Sequence, residues 1–302
     1  MRRLRRAAAA AGRRPGRPAA TFPATFTGLS AEPKWDGWRL LIFRTEREVY
    51  LQTRSRRLVT DLFPDLAHAA AALPAGCVLD GEAVVFTGGR TDFESVQRRG
   101  LSGRTRAAVL ARKRPANFIA FDLLAEGGEA TQDLRTRPYA ERRDRLLHLL
   151  TPLGPPLQPT PATGQRQVAE RWFEEMRSVG VEGLVLKRTA SRYRPGRTSD
   201  WQKIRHAVRH DAAVIGVLGN RRRPRAVVVA LPGHPTPAVT NVLPAALSFQ
   251  LGRALSQLPS DDLDNVPARG WRPVPLGVTV EVQVGTTRHA GRVRVVRLRH
   301  GE

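Results

Sequence analysis

The sequence is poor in cysteine, lysine and acids, and it lacks a long hydrophobic run. Its single cysteine, Cys77, excludes an internal disulfide and a zinc site built from several cysteines. Cys77 opens an apolar run at 77–79, which indicates a buried, unreactive thiol. No apolar run approaches the roughly 20 residues of a spanning helix, so no membrane association is expected. A single cysteine suits a reducing compartment, and we expect a cytoplasmic protein.

The charge balance is strongly basic. Fifty Lys and Arg residues stand against 27 Asp and Glu residues, which gives a formal net charge of +23. Such a field attracts a polyanion through release of its condensed counterions, so nucleic acid is the expected partner. The 302 residues, of which 41% are hydrophobic, are enough for two domains with packed cores.

The scarcity of lysine is informative. Lysine accounts for four of the 50 basic residues: Lys34, Lys113, Lys187 and Lys203. The chain is also rich in alanine, proline and glycine, as expected from a GC-rich bacterial genome in which arginine serves wherever any cation suffices. Arginine is not deprotonated in practice, whereas lysine can become a neutral nucleophile or give a point charge to a phosphate. The remaining lysines therefore mark candidate sites of lysine chemistry, although Lys34 alone could be an ordinary surface residue before an Asp-Gly turn.

Hydrophobic periodicity predicts an α+β chain. Residues 1–18 carry seven arginines and no acid, and are expected to form a disordered basic arm. Strands are predicted at 38–44, 49–53, 77–86, 118–123, 183–187 and 201–205. Helices are predicted at 61–73 after a Thr60 cap, at 138–150 and at 165–179, and the proline-rich stretch 151–161 is predicted to be a loop.

The pattern changes after residue 205. Apolar β-like runs at 212–218, 226–231, 278–284 and 293–298 surround one helix-like segment at 243–258. Four or five strands with one helix are typical of a small barrel such as an OB-fold, which often binds nucleic acid. We therefore expect a domain boundary near 206–210.

Charged residues and one aromatic stand at the ends of the expected strands. The first segment is Glu-Pro-Lys-Trp-Asp-Gly-Trp-Arg at 32–39. It is followed by Thr-Arg-Ser-Arg-Arg at 53–57, Asp-Gly-Glu at 80–82, Phe-Asp-Leu-Leu at 121–124, Glu-Gly-Leu-Val-Leu-Lys at 182–187 and Trp-Gln-Lys-Ile-Arg at 201–205. Lys203 and Arg205 share one face of their strand because side chains alternate. Any one segment could be a solvated strand end, but together they indicate a functional site.

These segments, in this order, closely resemble the motifs of the nucleotidyltransferase superfamily of ATP-dependent DNA ligases and mRNA capping enzymes. Phe-Pro-Asp-Leu at 63–66 and Gly-Leu-Val-Leu-Lys-Arg at 183–188 make the chain most similar to small actinobacterial ATP-dependent DNA ligases of the end-joining type. The resemblance covers about residues 30–300. It implies a two-domain α+β nucleotidyltransferase fold, with an antiparallel-sheet adenylation domain at 19–206 and an OB-fold DNA-binding domain at 207–302.

The resemblance implies a reaction. Lys34 would attack the α-phosphate of ATP, expel pyrophosphate and hold AMP as a phosphoramidate. AMP would then pass to a 5′-phosphate, and a 3′-hydroxyl end would displace it. The implied cofactors are ATP and Mg²⁺ or Mn²⁺, and the implied substrate is duplex DNA with nicks or ends, in repair. We expect a nucleoid-associated monomer whose partners include end-binding and polymerase proteins of end joining.

Roles for further residues follow from the matching motifs. Glu182 would bind the divalent ion, with Glu82 contacting ribose or metal. Phe121 would stack on adenine. The other implied nucleotide contacts are Arg39 and Arg54 at ribose and 5′-phosphate, Lys187 and Lys203 at the α-phosphate, and Glu32 and Arg205. Lys113 lies outside the motifs and is expected to be a backbone-phosphate contact or a solvated charge.

The chain departs from the family's usual motifs. The run at 287–299 resembles the last motif, with Arg288, Arg297 and Arg299 as candidates for orienting pyrophosphate, but it reads Arg-His-Ala where Arg-His-Pro is usual, and the closing Arg-x-Asp-Lys is absent. Arg56 stands where a glycine is usual. Two alternatives therefore stay open: a catalytically impaired ligase-like DNA-binding protein, and an RNA ligase or capping-type enzyme.

Overall fold

The computed structural model describes residues 17–18, 22–127, 131–196, 198–259, 270–285 and 293–299. The chain divides into two compact units. The first unit comprises residues 22–204, and the second comprises the described residues from Arg205 onward together with Arg17–Pro18. The division lies two residues before the predicted domain boundary. Among the described residues, no helix is both long and apolar enough to cross a bilayer.

The strands are β1 (Arg17–Pro18), β2 (Leu29–Pro33), β3 (Trp38–Arg44), β4 (Val49–Thr53), β5 (Val78–Thr87), β6 (Arg90–Thr91), β7 (Ala116–Glu126), β8 (Gln132–Asp133), β9 (Leu157–Pro159), β10 (Gly183–Arg188), β11 (Trp201–Arg205), β12 (Ala207–Asn220), β13 (Arg223–Ala230), β14 (Ala238–Val239), β15 (Arg272–Pro273), β16 (Thr279–Gly285) and β17 (Val293–Arg299). The helices are α1 (Pro64–Ala70), α2 (Phe93–Gly100), α3 (Arg104–Lys113), α4 (Tyr139–Leu150), α5 (Arg166–Glu175) and α6 (Ala245–Ser256).

The first unit contains two sheets. The larger has the order β4-β3-β5-β7-β8, with β6 on β5 and β9 on β7, and the smaller has the order β11-β10-β2. In the larger sheet neighbouring strands are antiparallel except β7 and β9, which are parallel, and β2 pairs antiparallel with β10. The expectation of a mixed chain with antiparallel sheets is therefore confirmed.

Alternation along the strands determines what is buried. Leu40 and Ile42 of β3 and Leu51 of β4 face the core, and helices α1 and α4 contribute Leu66 and Leu146 to the same cluster. Side chains at the intervening positions, such as Arg39, lie on the opposite face. That opposite face carries Arg39 and its partner Asp80, which belong to the candidate site.

Some predicted elements were wrong in detail. The predicted helix at 61–73 is a 3₁₀ helix at Thr60–Leu62 followed by α1, and Thr60 does not cap it; its hydroxyl accepts a hydrogen bond from Leu51 N at 3.0 Å. Pro64 explains the break, because a residue before proline avoids helical backbone angles and proline suits a first helical position. The predicted loop at 151–161 contains β9.

Several elements were missed. Strand β2 pairs with β10 although it lacks a clear alternating pattern, and helices α2 and α3 lie between strands where no helix was predicted. Cys77 is buried as expected, and burial raises the pKa of its thiol.

The second unit is built on one sheet with the order β14-β13-β12-β16-β17. Its core consists mainly of valines from these strands together with Leu251 and Leu255 of α6. Strand β1 pairs with β12, so Arg17 and Pro18, predicted to belong to a disordered arm, instead form a short strand. Residues 1–16 of that arm lie outside the described residues.

Candidate active site

Lys34 follows β2 directly and is held by the end of the β2–β10 ladder. Its backbone N–H donates to Gly183 O at 2.8 Å, and its carbonyl accepts from Glu182 N at 2.9 Å. Its ammonium forms an ion pair with the Glu182 carboxylate, whose side chain is 0% exposed against 12% for Lys34. The candidate nucleophile and the candidate metal ligand are therefore in direct contact.

A glycine allows the Lys34 loop to approach β5. A Cβ at Gly37 would lie 2.3 Å from Ala83 O and 2.9 Å from Glu82 Cγ, so any side chain there would collide with this strand. The Asp-Gly pair after Lys34 is thus explained by close packing, which places the loop beside Glu82.

A second buried ion pair lies within the same unit. Lys187 Nζ is 2.8 Å from Glu32 Oε2 and donates to Phe121 O at 2.7 Å. The Tyr139 hydroxyl also donates to Glu32. The ammonium of Lys187 is 4.2 Å from the ring centroid of Trp201, 4.6 Å from that of Tyr139 and 5.0 Å from that of Phe121, within cation–π range.

Arg39 connects the candidate adenine ring-stacking residue to a buried acid. Its guanidinium lies 5.3 Å from the Phe121 ring centroid and donates to Asp80 Oδ1 at 2.9 Å and Oδ2 at 2.6 Å. The Tyr193 hydroxyl donates to the same carboxylate at 2.9 Å. Burial acts to lower the pKa of Arg39, but the bonds to Asp80 outweigh it and raise that pKa. Burial and Asp80 both raise the pKa of Tyr193.

A cavity of about 650 Å³ extends from Arg39 along the charged face of the larger sheet. Arg54 and Arg56, in the turn after β4, line it together with Asp133 and Arg135. Arg56 has a φ of 65°, in the left-handed region, which accounts for the glycine usual at this position.

Lys203 and Arg205 are exposed on β11, and Lys113 is exposed at the end of α3. Arg297 and Arg299 lie on β17 in the second unit and are described below, whereas Arg288 lies outside the described residues.

The last-motif arginines share one acid. Arg297 Nε donates to Glu281 Oε2 at 2.7 Å, and Arg299 Nη2 lies 2.9 Å from the same oxygen. Arg209 Nη1 donates to the other oxygen at 3.2 Å, and Arg299 Nε also donates to Asp211 at 2.9 Å. Within the second unit these two arginines are thus bound to carboxylates.

Sequence reasoning missed five residues that organise the site: Asp80, Asp122, Tyr139, Arg142 and Tyr193. Asp80 and Asp122 stand inside quoted motifs, so an acid within a buried strand was the available signal. Arg142 donates to Asp122 Oδ1 at 2.7 Å and Oδ2 at 2.9 Å, and this pair attaches α4 to β7. No sequence signal identified the tyrosines.

The donor set for a metal is sparse. In the described ranges, no group of three or more His, Cys, Asp or Glu residues could hold a metal ion. Glu182 and Glu82 offer hard carboxylate oxygens, a set that suits Mg²⁺ held jointly by protein and substrate phosphates rather than by an all-protein cage.

Comparison with known proteins identifies the family. The family model of the ATP dependent DNA ligase domain matches residues 20–205. DNA ligase C2 of Mycolicibacterium smegmatis is 42% identical over 190 residues, 63% of this chain and 52% of that protein. DNA ligase C of Mycobacterium tuberculosis is 40% identical over 192 residues, 62% of this chain and 52% of that protein. The chain thus spans about half the length of these relatives.

Comparison with solved structures agrees with the sequence comparisons. The ligase domain of LigD from M. tuberculosis is similar with a TM-score of 0.50 and 28% identity, and the match covers 90% of this chain and 89% of that one. A Lig E DNA ligase has the same fold with a TM-score of 0.59 and 19% identity, over 93% of this chain and 97% of that one. With more than half of its length matched by the family model, this chain belongs to the ATP-dependent DNA ligase family.

Proposed function

We propose that this chain joins 5′-phosphate and 3′-hydroxyl ends of DNA, using ATP and a covalent AMP carried on Lys34. The observation that carries the proposal is the contact between the Lys34 ammonium and the buried Glu182 carboxylate. This pair lies in the same unit as the cluster around Phe121 and Lys187.

In the first step the Lys34 amine attacks the α-phosphorus of ATP. A phosphorus–nitrogen bond forms, the bond to the bridging oxygen breaks, and pyrophosphate leaves. Only the uncharged amine is nucleophilic, so the Lys34 ammonium must leave its ion pair with Glu182 and lose a proton to solvent before it attacks. A second proton leaves the nitrogen when the phosphorus–nitrogen bond forms. When its carboxylate holds a divalent ion, Glu182 would no longer retain the Lys34 ammonium.

Phe121 and its neighbours would form the base and ribose site. The two cations near the Phe121 ring, Arg39 and Lys187, are each held by a buried acid. A planar adenine can stack on the ring without base-specific contacts, and Glu32 supplies an acceptor for an exocyclic amine. Lys187 would exchange Glu32 for the α-phosphate.

Glu182 and Glu82 would hold Mg²⁺ or Mn²⁺. Their carboxylate oxygens fit such an ion when substrate phosphates complete its coordination. A bound ion would neutralise charge on the phosphate under attack. Glu182 is fully buried, so the chain keeps one ligand oriented at the end of the β2–β10 ladder.

We infer that the second unit is an OB-type barrel that binds duplex DNA. A parallel bridge between Thr240 and Val293, with Asn241 N donating to Val293 O at 2.7 Å, joins the β14 end of the sheet to β17 and supports a closed barrel. The helix α6 between β14 and β16 also fits that fold. Excess positive charge over the whole chain favours a polyanion.

Repair by end joining is the proposed setting. A Mycobacterium bovis relative, named a multifunctional non-homologous end joining protein, is 38% identical over 190 residues, 60% of this chain and 23% of that protein. On this basis we propose action on nicks or ends of bacterial DNA in the cytoplasm, beside separate end-binding and polymerase proteins. The relatives named DNA ligase C2 and DNA ligase C favour ligation over RNA capping.

The first prediction tests the nucleophile. Purified chain incubated with ATP and Mg²⁺ should gain the mass of one AMP, because Lys34 retains the nucleotide after pyrophosphate leaves. Lys34→Ala and Lys34→Arg should gain none, since neither side chain supplies a neutral amine. Intact-mass spectrometry measures the adduct. An adduct on either variant would show another nucleophile, and an adduct formed with GTP but not ATP would support a capping-type enzyme instead.

A further inference from the structure

Arg56 has a backbone conformation that its residue type disfavours. Its φ is 65°, and among the described residues it is the one non-glycine residue with a positive φ. An L-residue there brings its Cβ close to the following carbonyl oxygen, a strain that glycine avoids. Strain of this kind persists only where the surrounding structure imposes it, and it is concentrated at functional sites.

The turn at 53–57 is held firmly. Thr53 N donates to Arg57 O at 2.9 Å, Arg56 N donates to Thr53 O at 2.9 Å, and Arg57 N donates to the Thr53 hydroxyl at 3.1 Å. Arg57 in turn donates to Gly100 O at 2.5 Å, which attaches the turn to α2. These bonds therefore fix the backbone from which the side chains of Arg54 and Arg56 extend.

Both arginines line the cavity that begins at Arg39. The acid that lines it, Asp133, is bound by Arg135 at 2.7 Å. Within the described part of the chain, no hydrogen bond or ion pair joins the side chain of Arg54 or Arg56 to another residue. Among the described residues, these two arginines thus face one cavity without an acid bound to either side chain.

We propose that Arg56 adds a second guanidinium for a phosphate in this cavity, beside the phosphate contact already expected of Arg54, and that the left-handed backbone at Arg56 is kept because it directs this guanidinium there. The guanidinium fork matches phosphate oxygens in geometry and charge. The proposal rests on the proposed function, which supplies two sources of phosphate: the 5′-phosphate of a DNA strand and the phosphates of ATP.

Binding to nicked duplexes tests the site on the full chain. We compare Arg56→Gly with Arg47→Gly, which removes the same charge from the turn that joins β3 to β4. Arg56→Gly should weaken binding to a 5′-phosphorylated nick by about tenfold or more, as expected for loss of a charged hydrogen bond. Binding to the same nick with a 5′-hydroxyl should change much less. Arg56→Asn, which tolerates the left-handed region, should reproduce the loss without the flexibility of glycine.

The melting temperatures of two variants measure the backbone strain at residue 56 separately from phosphate binding. Arg56→Gly and Arg56→Ala lose the same charge, but alanine keeps the Cβ that is strained at this φ. Arg56→Gly should therefore melt about 2–4 °C above Arg56→Ala. Equal melting temperatures would show that the turn imposes no strain and would remove this support.

The source of the phosphate is read from two measurements. If Arg56→Gly loses affinity only for the 5′-phosphorylated nick, the bound phosphate is that of the DNA end. If Arg56→Gly instead needs a higher ATP concentration to form the adduct, the bound phosphate is that of the nucleotide. If Arg56→Gly matches Arg47→Gly in both, the site is overturned. The AMP adduct on the unsubstituted chain tests the proposed function alone, since nick binding is measured without ATP.

Discussion

Two buried carboxylates, one in each unit, show how neighbouring cations decide the state of an acid. Asp122 in the first unit faces one arginine, Arg142, and both side chains are 0% exposed. Glu281 in the second unit is 1% exposed and is contacted by three arginines that all reach solvent. Burial raises the pKa of Asp122 despite the bonds from Arg142. Burial acts the same way on Glu281, but the arginines outweigh it and lower the pKa.

The two carboxylates differ in the exposure of the cations that bind them. We call a buried carboxylate enclosed charge when its cation is also largely buried, and shared charge when several exposed arginines contact it. In the first unit, Asp122, Glu182 and Glu32 each meet a cation that is itself largely buried, so removal of that cation leaves a buried carboxylate whose charge water cannot reach. In the second unit, exposed arginines outnumber the acid and retain positive charge for a polyanion. Substitutions should therefore have large effects in the first unit and small ones in the second.

The largest effect on stability is expected at Arg142. Arg142→Met leaves Asp122 buried without its cation and should lower the free energy of unfolding by about 3–5 kcal/mol. Arg145→Met, on the same helix, removes an ion pair whose members are a third exposed, and should change it by about 1 kcal/mol or less. Urea unfolding measures both. Equal losses would contradict the distinction, and adding Asp122→Asn to Arg142→Met should recover part of the stability.

The next effect concerns activity. Glu182 is enclosed like Asp122, but its cation is the proposed nucleophile, so Glu182→Gln should slow formation of the AMP adduct by about 100-fold, or about 2.7 kcal/mol of activation free energy. The rate is measured by quenched incubation with ATP and Mg²⁺. Glu170→Gln, in an exposed pair on α5, should adenylate at the unsubstituted rate. A normal rate for Glu182→Gln would remove Glu182 from the mechanism.

Much of this arrangement could be predicted from the sequence. The strands β3, β4, β10 and β11 follow alternating or apolar runs almost residue for residue, because period-2 burial leaves a direct pattern. Lys34 was predicted as the nucleophile and Glu182 as a metal ligand; these roles stay predictions, and the two side chains are in contact. The family and the antiparallel mixed fold were also predicted correctly.

Other features depend on contacts that no local pattern encodes. Arg142 looks like any polar position of an amphipathic helix, and its burial depends on an aspartate twenty residues earlier in sequence. Strand β2 has four consecutive buried residues, so its pairing with β10 leaves no alternation to read. The left-handed conformation of Arg56 is imposed by its hydrogen-bonded neighbours Thr53 and Arg57. An arginine by itself predicts a negative φ at this position.

The smallest effect is expected at Glu281, and it depends on pH. Because folding lowers the pKa of this carboxyl, its stabilising contribution is present above the unfolded value near 4.5 and is lost as the pH falls through the folded value. Glu281→Gln should therefore cost about 1 kcal/mol at neutral pH and progressively less in acid. Asp61→Asn, which breaks an exposed pair with Arg104, controls for charge alone. A loss as large as that of Arg142→Met, or one that grows in acid, would show that Glu281 is enclosed charge like Asp122 and would end the distinction between the two units.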